Sequence, residues 1–498
     1  MTEVKLAHIG SNVIARKVIK LQLLFADQLG PHFQQEQKLL LPEVLSQFSK
    51  RKYHRQKAHL ILSAIRHRGL DPEVELVSIS SYRDLKGSAH SVINPTSYNQ
   101  RKLANELGLE IHSSRGFVAS EQEFSEYVEA KKGKRLVLED FYRKQRLRTG
   151  LLIEGGEPEG GQWNFDHDNR LPPPKQQTLG ATEPWYPKED EIDQQVRKDL
   201  DELEAAGVEF AGEDGPRLFP ASRSEALEAL QHFVNSRLDL FGPYEDAVLK
   251  DDWAMSHSLL SAPMNMGLLD PLEVAKAAER AYKEGKARIA SVEGFIRQVI
   301  GWRDYVWHLY WHFGEQYVDK NELNANNPLP DSWLELSGAD IESNCLSSTI
   351  GDISKRGWAH HIPRLMIIGN IAMQRGFHPK QVNDWLVDNF VDGTPWVMPA
   401  NSIGMSLYAD GGMMSTKPYA AGGSYINKMT NYCSSCRFDP KTRVGEDACP
   451  VNAGYWFFIH NHQDRLISNP RISRSVYSMR KLSDIDELVA QESQRKKL

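Results

Sequence analysis

Leu21-Gln22-Leu23-Leu24-Phe25, followed at once by Ala26-Asp27-Gln28-Leu29-Gly30, reads as a buried strand running into a turn. A continuous apolar run of this length, closed by turn residues, suits a strand inside a sheet. The pattern recurs downstream. Val74 to Ile79, Leu109 to His112 and Leu136 to Leu138 are further strand candidates, and helical periodicity runs over Gln56 to His67 and Gln100 to Leu107. Strands alternating with helices predict an α/β domain, built on an open parallel sheet, over residues 20–150.

Outward from this unit the character changes on both sides. Residues 1–19 mix charge and polarity without the apolar stretch and small-residue cleavage site of a signal peptide, and read as a tail. Residues 151–220 contain GGEPEGG, Leu171-Pro172-Pro173-Pro174 and acidic runs, the composition of a connector. From residue 221 the pattern is almost wholly helical. Ser222-Arg223-Ser224-Glu225 has the form of a capping box, with Leu227, Leu230, Phe233 and Val234 as the apolar stripe. Asp270-Pro271 opens a second helix, and Ser291 reads as the cap of a third through Phe295, Val299, Trp302 and Val306. These patterns divide the rest of the chain into a helical domain over 221–430 and a C-terminal segment over 431–498.

At 498 residues the chain exceeds one ordinary core, so at least two domains are expected. The net charge of −6 excludes a uniformly basic nucleic-acid coat, so any such surface must be a local patch. No apolar run approaches the roughly 20 residues that span a bilayer. The expectation is a cytoplasmic protein that does not enter a membrane. Its four cysteines are sparse and all lie in the C-terminal third. In a reducing compartment this argues for a metal or cluster site before disulfides.

Cys433-Ser434-Ser435-Cys436 is a C-x2-C pair that can offer two thiolates to one metal face. Cys449-Pro450 follows in a nearby loop, and Cys345 would have to come from a packed helix. Zinc and an iron–sulfur cluster both accept four thiolates, and spacing does not choose between them.

A second group of polar residues lies in the helical region. His257-Ser258-Leu259-Leu260-Ser261 is a helix-entry turn whose hydroxyls and backbone N–H groups suit phosphate oxygens. Gln298 and Arg303 fall on an aromatic-rich helix. His360-His361 with Arg364 stands before the apolar run Leu365 to Ile368, and Asp392 could pair with Arg364 beside an electron-rich ring.

With these pieces assembled, the chain resembles the iron–sulfur bacterial cryptochromes and photolyases, which include the prokaryotic (6-4) photolyases. The most specific segments are Gly294 to Arg303, His360-His361 with Arg364, and Lys417-Pro418-Tyr419 through Tyr425 to Cys433, with Cys345, Cys436 and Cys449 completing the match. The resemblance implies the cryptochrome/photolyase architecture, with a large all-α FAD-binding domain after the α/β antenna-type domain. It implies phosphates on His257 to Ser261, flavin contacts from Gln298, Arg303, His361, Arg364, Asp392 and Asn401, and a [4Fe-4S] cluster on Cys345, Cys433, Cys436 and Cys449. His361 resembles the family's lesion-facing histidine, with His360 the other candidate acid, and Trp385 and Tyr425 match its electron path. A further relay tryptophan has no clear match; Trp333 lies nearby in sequence.

Family members also carry an antenna, commonly 6,7-dimethyl-8-ribityllumazine. Asp27-Gln28-Leu29 resembles its entry turn, but the following helix departs from the pattern: a Glu and a Tyr spaced before a His pair are expected, and Gln47, Lys50, Tyr53 and His54 stand here. The implied activity is that of a (6-4) DNA photolyase, a carbon–carbon lyase in which light-excited reduced FAD passes an electron to the damaged pyrimidines. UV-damaged DNA would be the partner of a monomer, with the lesion flipped out and a basic patch at Arg471, Arg474, Arg480 and Lys481 beneath the backbone. A photoreceptor without repair activity and a cluster-bearing nucleic-acid binding protein are the alternatives. The flavin motifs disfavour the latter.

Overall fold

The computed structural model describes residues 21–498; the expected tail over 1–19 lies outside the described residues. Five parallel strands form the first domain: β1 (Leu21–Leu23), β2 (Lys38–Glu43), β3 (Val74–Ser78), β4 (Ser91–Ile93) and β5 (Glu110–His112), in the order β3-β2-β1-β4-β5. Helices α1 (Arg55–Arg68) and α2 (Tyr98–Glu106) supply crossovers, and α3 (Glu121–Ala130) and α4 (Leu138–Thr149) follow the sheet. The strand order reverses between β1 and β4, the place where open α/β sheets leave a crevice. Asp27 follows β1 and Thr96 follows β4, and Thr96 Oγ1 donates to Asp27 Oδ2 at 2.5 Å across it.

Several expectations are corrected. Leu136 to Leu138 is not a strand: Leu138 opens α4, and the preceding backbone is satisfied by Tyr127, whose hydroxyl donates to Val137 O (2.8 Å) and accepts from Val137 N (2.9 Å). The connector contains a helix, α5 (Glu191–Ala205), capped by Asp190 and packed on α1. Its buried Asp193 receives Arg217 at 2.8 and 3.0 Å, and Arg217 also reaches Glu225 on the next helix, α6 (Arg223–Ser236). That contact explains why the capping box is only half formed. Ser222 Oγ accepts from Glu225 N at 3.3 Å, while the Glu225 carboxylate serves Arg217 and Ala221 N. Leu227 is exposed, and Ala226 and Ala229 complete the buried stripe instead. Ser291 lies inside the helix Ile289–Ile296, where Oγ donates to Asp239 O at 2.7 Å and accepts from Gly242 N at 3.2 Å.

One hydrophobic core runs through both domains, joining Leu39 and Leu60 to Phe233, Phe295 and Trp358. The contact is close, and a side chain in place of Gly301 would press on the Tyr142 ring. A Cβ on Gly301 would stand 3.1 Å from the Tyr142 ring. A second core holds Trp333, Trp385 and the four cysteines together.

Candidate active site

Three helices of the second domain pass through π-helical segments, at Arg297–Arg303, Pro363–Gly369 and Ala400–Ser406. Such segments widen the helix and turn side chains off the regular spiral, most often at functional sites. Here all three open onto one cavity of about 470 Å³, contributing Gln298 and Arg303, Arg364 and Leu365, and Asn401 and Met405 respectively. The pattern of apolar positions does not encode a π turn, so this shared feature was not legible in the sequence.

The turn at His257 supplies a further wall. Leu259 is left-handed, with φ of 58°, a conformation a bulky side chain adopts only under surrounding constraint. Ser258 Oγ accepts from Leu260 N at 3.3 Å. His257, Ser258, Leu259 and Ser261 line the cavity, whereas the Leu260 side chain is buried in the apolar core and takes no part in the lining.

Arg364 and Asp392 form the expected pair, a bidentate contact at 2.9 and 3.1 Å. Ser261 Oγ donates to Asp392 Oδ2 at 2.6 Å, and Asn265 Nδ2 donates to Asp392 O at 3.0 Å. Arg364 Nε is spent on Ala359 O at 2.5 Å, so the guanidinium is fixed on two sides. Arg303 also lines the cavity, but its head donates to Gly116 O of the first domain at 2.6 Å and lies over the Phe117 ring. Burial pulls its guanidinium down to about 10.

The two adjacent histidines separate. His360 is buried and stacks on His257 with ring centroids 4.4 Å apart, while His361 is half exposed at the mouth with Nε2 3.1 Å from Asp246 Oδ1. Burial first, and then neighbouring positive groups, push both His257 and His360 well below the usual histidine range. His257 Nε2, His360 Nε2, Arg303 Nε and Trp358 Nε1 have no hydrogen-bond partner among the described residues, and all four residues line the cavity. Unsatisfied donors and acceptors on an aromatic-lined wall are what a polar, planar guest such as FAD would satisfy.

Glu245 escaped the sequence reading because Gly242-Pro243-Tyr244-Glu245 looks like a turn. It lines the cavity, and burial pushes its carboxyl up to about 8. A folded value above the unfolded one gives stability that is complete at low pH and is lost as pH rises to about 8. The midpoint of thermal unfolding should therefore fall more steeply for the parent than for Glu245→Gln between about pH 5 and pH 8. Parallel profiles in a pH series would remove this assignment.

Trp385, on the helix Pro379–Asn389, meets Trp333 with ring centroids 5.4 Å apart and donates to Trp333 O through Nε1 at 2.8 Å. Folding thus brings together two tryptophans that stand 52 positions apart in sequence. Tyr425 is half-buried on the helix Gly423–Met429, and no ring contact joins it to Trp385 among the described residues.

The cysteines converge. Cys345 lies in the first turn of the helix Asn344–Arg356, Cys433 in the short turn Tyr432–Ser435 with Cys436 next, and Cys449 at the cap of the helix Pro450–Asn461. All four line one small apolar chamber with Ile426, Phe438 and Val451. Asn344 ties the elements together by donating to Tyr432 O and Ser435 Oγ, each at 2.8 Å. Arg471, Arg474, Arg480 and Lys481 are exposed, and none is in an ion pair among the described residues.

No helix is long and apolar enough to cross a membrane among the described residues. The family described as deoxyribodipyrimidine photo-lyase-related protein matches residues 92–211. A (6-4) photolyase of Agrobacterium fabrum is 38% identical over 93% of this chain and 96% of its own length. The fold matches a bacterial class III photolyase from Agrobacterium tumefaciens at 15% identity with a TM-score of 0.54, covering 97% of this chain and 92% of that one. It also matches a Synechocystis cryptochrome at 10% identity with a TM-score of 0.51, covering 93% and 99%. With that identity sustained along almost its whole length, the chain belongs to the photolyase and cryptochrome family, among the relatives of the bacterial (6-4) photolyase.

Proposed function

We propose that this protein is a light-dependent DNA repair lyase that reverses (6-4) pyrimidine photoproducts, with FAD in the cavity and a [4Fe-4S] cluster on the four cysteines. The observation that carries the reading is the placement of His361 and its Asp246 partner at the open mouth of a cavity whose inner wall holds the Arg364–Asp392 pair. An acid at the mouth and a fixed charge pair behind it are the two things that lesion repair at a flavin asks of a protein.

Reduced FAD, when bound, supplies a photoexcited electron donor. The protein's own part is to bind, orient and exclude water. His257, Ser258, Leu259 and Ser261 would hold the phosphates, and Gln298, Arg303, Arg364, Asp392 and Asn401 would flank the ring system. Arg364 would balance negative charge developing there, and Asp392 keeps its guanidinium oriented and compensated while water is excluded. His361 would hold a proton at Nε2 against Asp246 and face the extruded lesion. Trp385 with Trp333 would form the inner part of the electron path from outside, with Tyr425 a separate candidate nearer the mouth. Arg471, Arg474, Arg480 and Lys481 would track the DNA backbone.

For the cysteines, distance favours a cluster over a single zinc ion. Tetrahedral zinc with Zn–S bonds of about 2.3 Å holds its sulfurs roughly 3.8 Å apart. No three of the four sulfurs come within 4.8 Å of one another among the described residues. A lumazine antenna fits less well. The Asp27 carboxylate is already taken by Thr96 and by Gln100, at 2.5 and 3.2 Å, and Lys50 is exposed.

The test is a repair assay on oligonucleotides bearing one (6-4) lesion or one cyclobutane dimer, in light and in darkness, with FAD content known. The expected result is light-dependent recovery of the (6-4) substrate alone. Efficient flavin photoreduction with repair of neither lesion would move the protein to the photoreceptor class.

A further inference from the structure

Helix α1 enters the interface between the domains with its first turn. His54 caps it, accepting from Gln56 N at 3.2 Å, and its Nε2 lies 2.9 Å from Ile353 O of the helical domain. Three residues on, Lys57 is 5% exposed, and its ammonium donates to Val387 O and, at 2.7 Å, to Gly393 O. A lysine is seldom buried so fully without a task.

Both acceptors belong to the flavin side. Val387 O is a last-turn carbonyl of the helix that carries Trp385, where a cation also complements the helix dipole. Gly393 directly follows Asp392. Only a glycine fits there, because a Cβ would stand 2.7 Å from Leu386 O, 2.8 Å from Val387 O and 3.0 Å from Phe390 O. The loop is therefore pressed against a cluster of carbonyl oxygens, where Gly393 N donates to Phe390 O at 2.9 Å and the Lys57 ammonium donates to Val387 O and to Gly393 O.

The charged groups around it come from each packed element. Asp388 at the helix end and Asp392 in the loop favour the ammonium, while Arg51 before α1 opposes it. Asp388 is itself held by Arg51 at 2.9 Å, Asp392 by Arg364, and the Tyr53 ring lies 5.8 Å from Nζ. Burial is the largest influence and pulls the ammonium below its ordinary lysine value.

We propose that Lys57 is a positioning residue for the flavin site: an ammonium supplied by the first domain that clips the Asp392 loop to the end of the Trp385 helix, and so fixes the carboxylate shared by Arg364 and Ser261. The inference rests on the reading of Asp392 as a neighbour of the flavin. Packing alone would need only the methylenes of the side chain. Positioning needs the charge.

The full chain loaded with FAD would be compared with Lys57→Met, Lys57→Arg and Asp392→Asn by the rate of flavin photoreduction across pH. Lys57→Met should be about tenfold slower at neutral pH, as expected for a small displacement of a site group, with no alkaline decline. The parent should slow as pH rises, because a depressed ammonium deprotonates before an exposed lysine does. Lys57→Arg should keep most of the neutral rate and lose the decline, since a guanidinium stays charged. If Lys57→Met keeps the parent's rate and pH profile while Asp392→Asn is slow, the Lys57 role is overturned and the reading of Asp392 stands. If Asp392→Asn also behaves like the parent, that reading fails and the proposal falls with it. Should Lys57→Met fail to hold FAD, the arginine variant decides: a lost alkaline decline supports the proposal, and a retained one overturns it.

Discussion

Replacing Cys449 with serine should abolish cluster loading and cut soluble yield by about tenfold, the largest stability effect expected of any single substitution in this chain. Cys449 is both a ligand candidate and the cap of the helix Pro450–Asn461, whose Phe458 and Ile459 are buried in the same core as Trp333 and Trp385. Burial and the neighbouring sulfurs push the Cys345 thiol well up and the Cys433 thiol to about 12. Thiols held up in this way ionise together only around a strongly positive centre. Metal-site binding energies of about 10–16 kcal/mol in small structural sites exceed or match the roughly 5–15 kcal/mol that holds a whole domain folded. Losing one ligand therefore threatens the C-terminal segment rather than merely loosening it. Iron, sulfide and zinc analysis of anaerobically purified protein checks this, with Ser434→Ala as the substitution in the same turn that leaves every ligand in place. The parent should carry about four irons per chain. Stoichiometric zinc in their stead would end the cluster reading.

Where the sequence was readable, one local pattern was sufficient. The caps at Asp270 and Ser222 and the start of the β1 run each depend on few residues with strong preferences, and each stands where it was expected. Where it was not, the deciding atoms were distant in sequence. Strand β2 carries Pro42, which argues against an inner strand. Leu40 O accepts from Leu24 N at 2.9 Å, so the alternate residue Pro42 turns its missing N–H to the same side, beyond the end of β1. Three-residue β4 is too short to show a period. Trp333 and Trp385 are joined only by folding, as are Lys57 and Gly393. The candidate site was legible as a set of residue types. Its depth order, with His361 outside and His360 within, came from burial alone.

That order bears on the acid step, and His361→Ala should lose (6-4) repair by at least about a hundredfold, the usual worth of a positioned acid. Reversal of the lesion moves a hydroxyl between two pyrimidines, so a proton must arrive as well as an electron. Three imidazoles crowd the mouth, with nitrogens within 4.8 Å of one another, but they are not equivalent. His257 and His360 are buried and held well below the ordinary histidine range by that burial, and neither Nε2 has a hydrogen-bond partner among the described residues. His361 alone meets both solvent and a carboxylate, with 51% of its side chain exposed and Asp246 at 3.1 Å. Asp246→Asn should accordingly lower repair by about tenfold by releasing the ring from its orientation. His360→Ala should fail differently. It removes the ring stacked on His257 at 4.4 Å and opens the cavity wall, so FAD retention should fall before any chemistry is tested. The three variants are separated by measuring FAD content, photoreduction rate and repair yield on one preparation of each. Full FAD content with normal photoreduction and absent repair in His361→Ala is the expected signature of an acid whose proton goes to the lesion. Parent-level repair in that variant would end the assignment and leave Glu245, whose carboxyl burial pushes up to about 8 and which faces the same cavity, as the next group able to give up a proton.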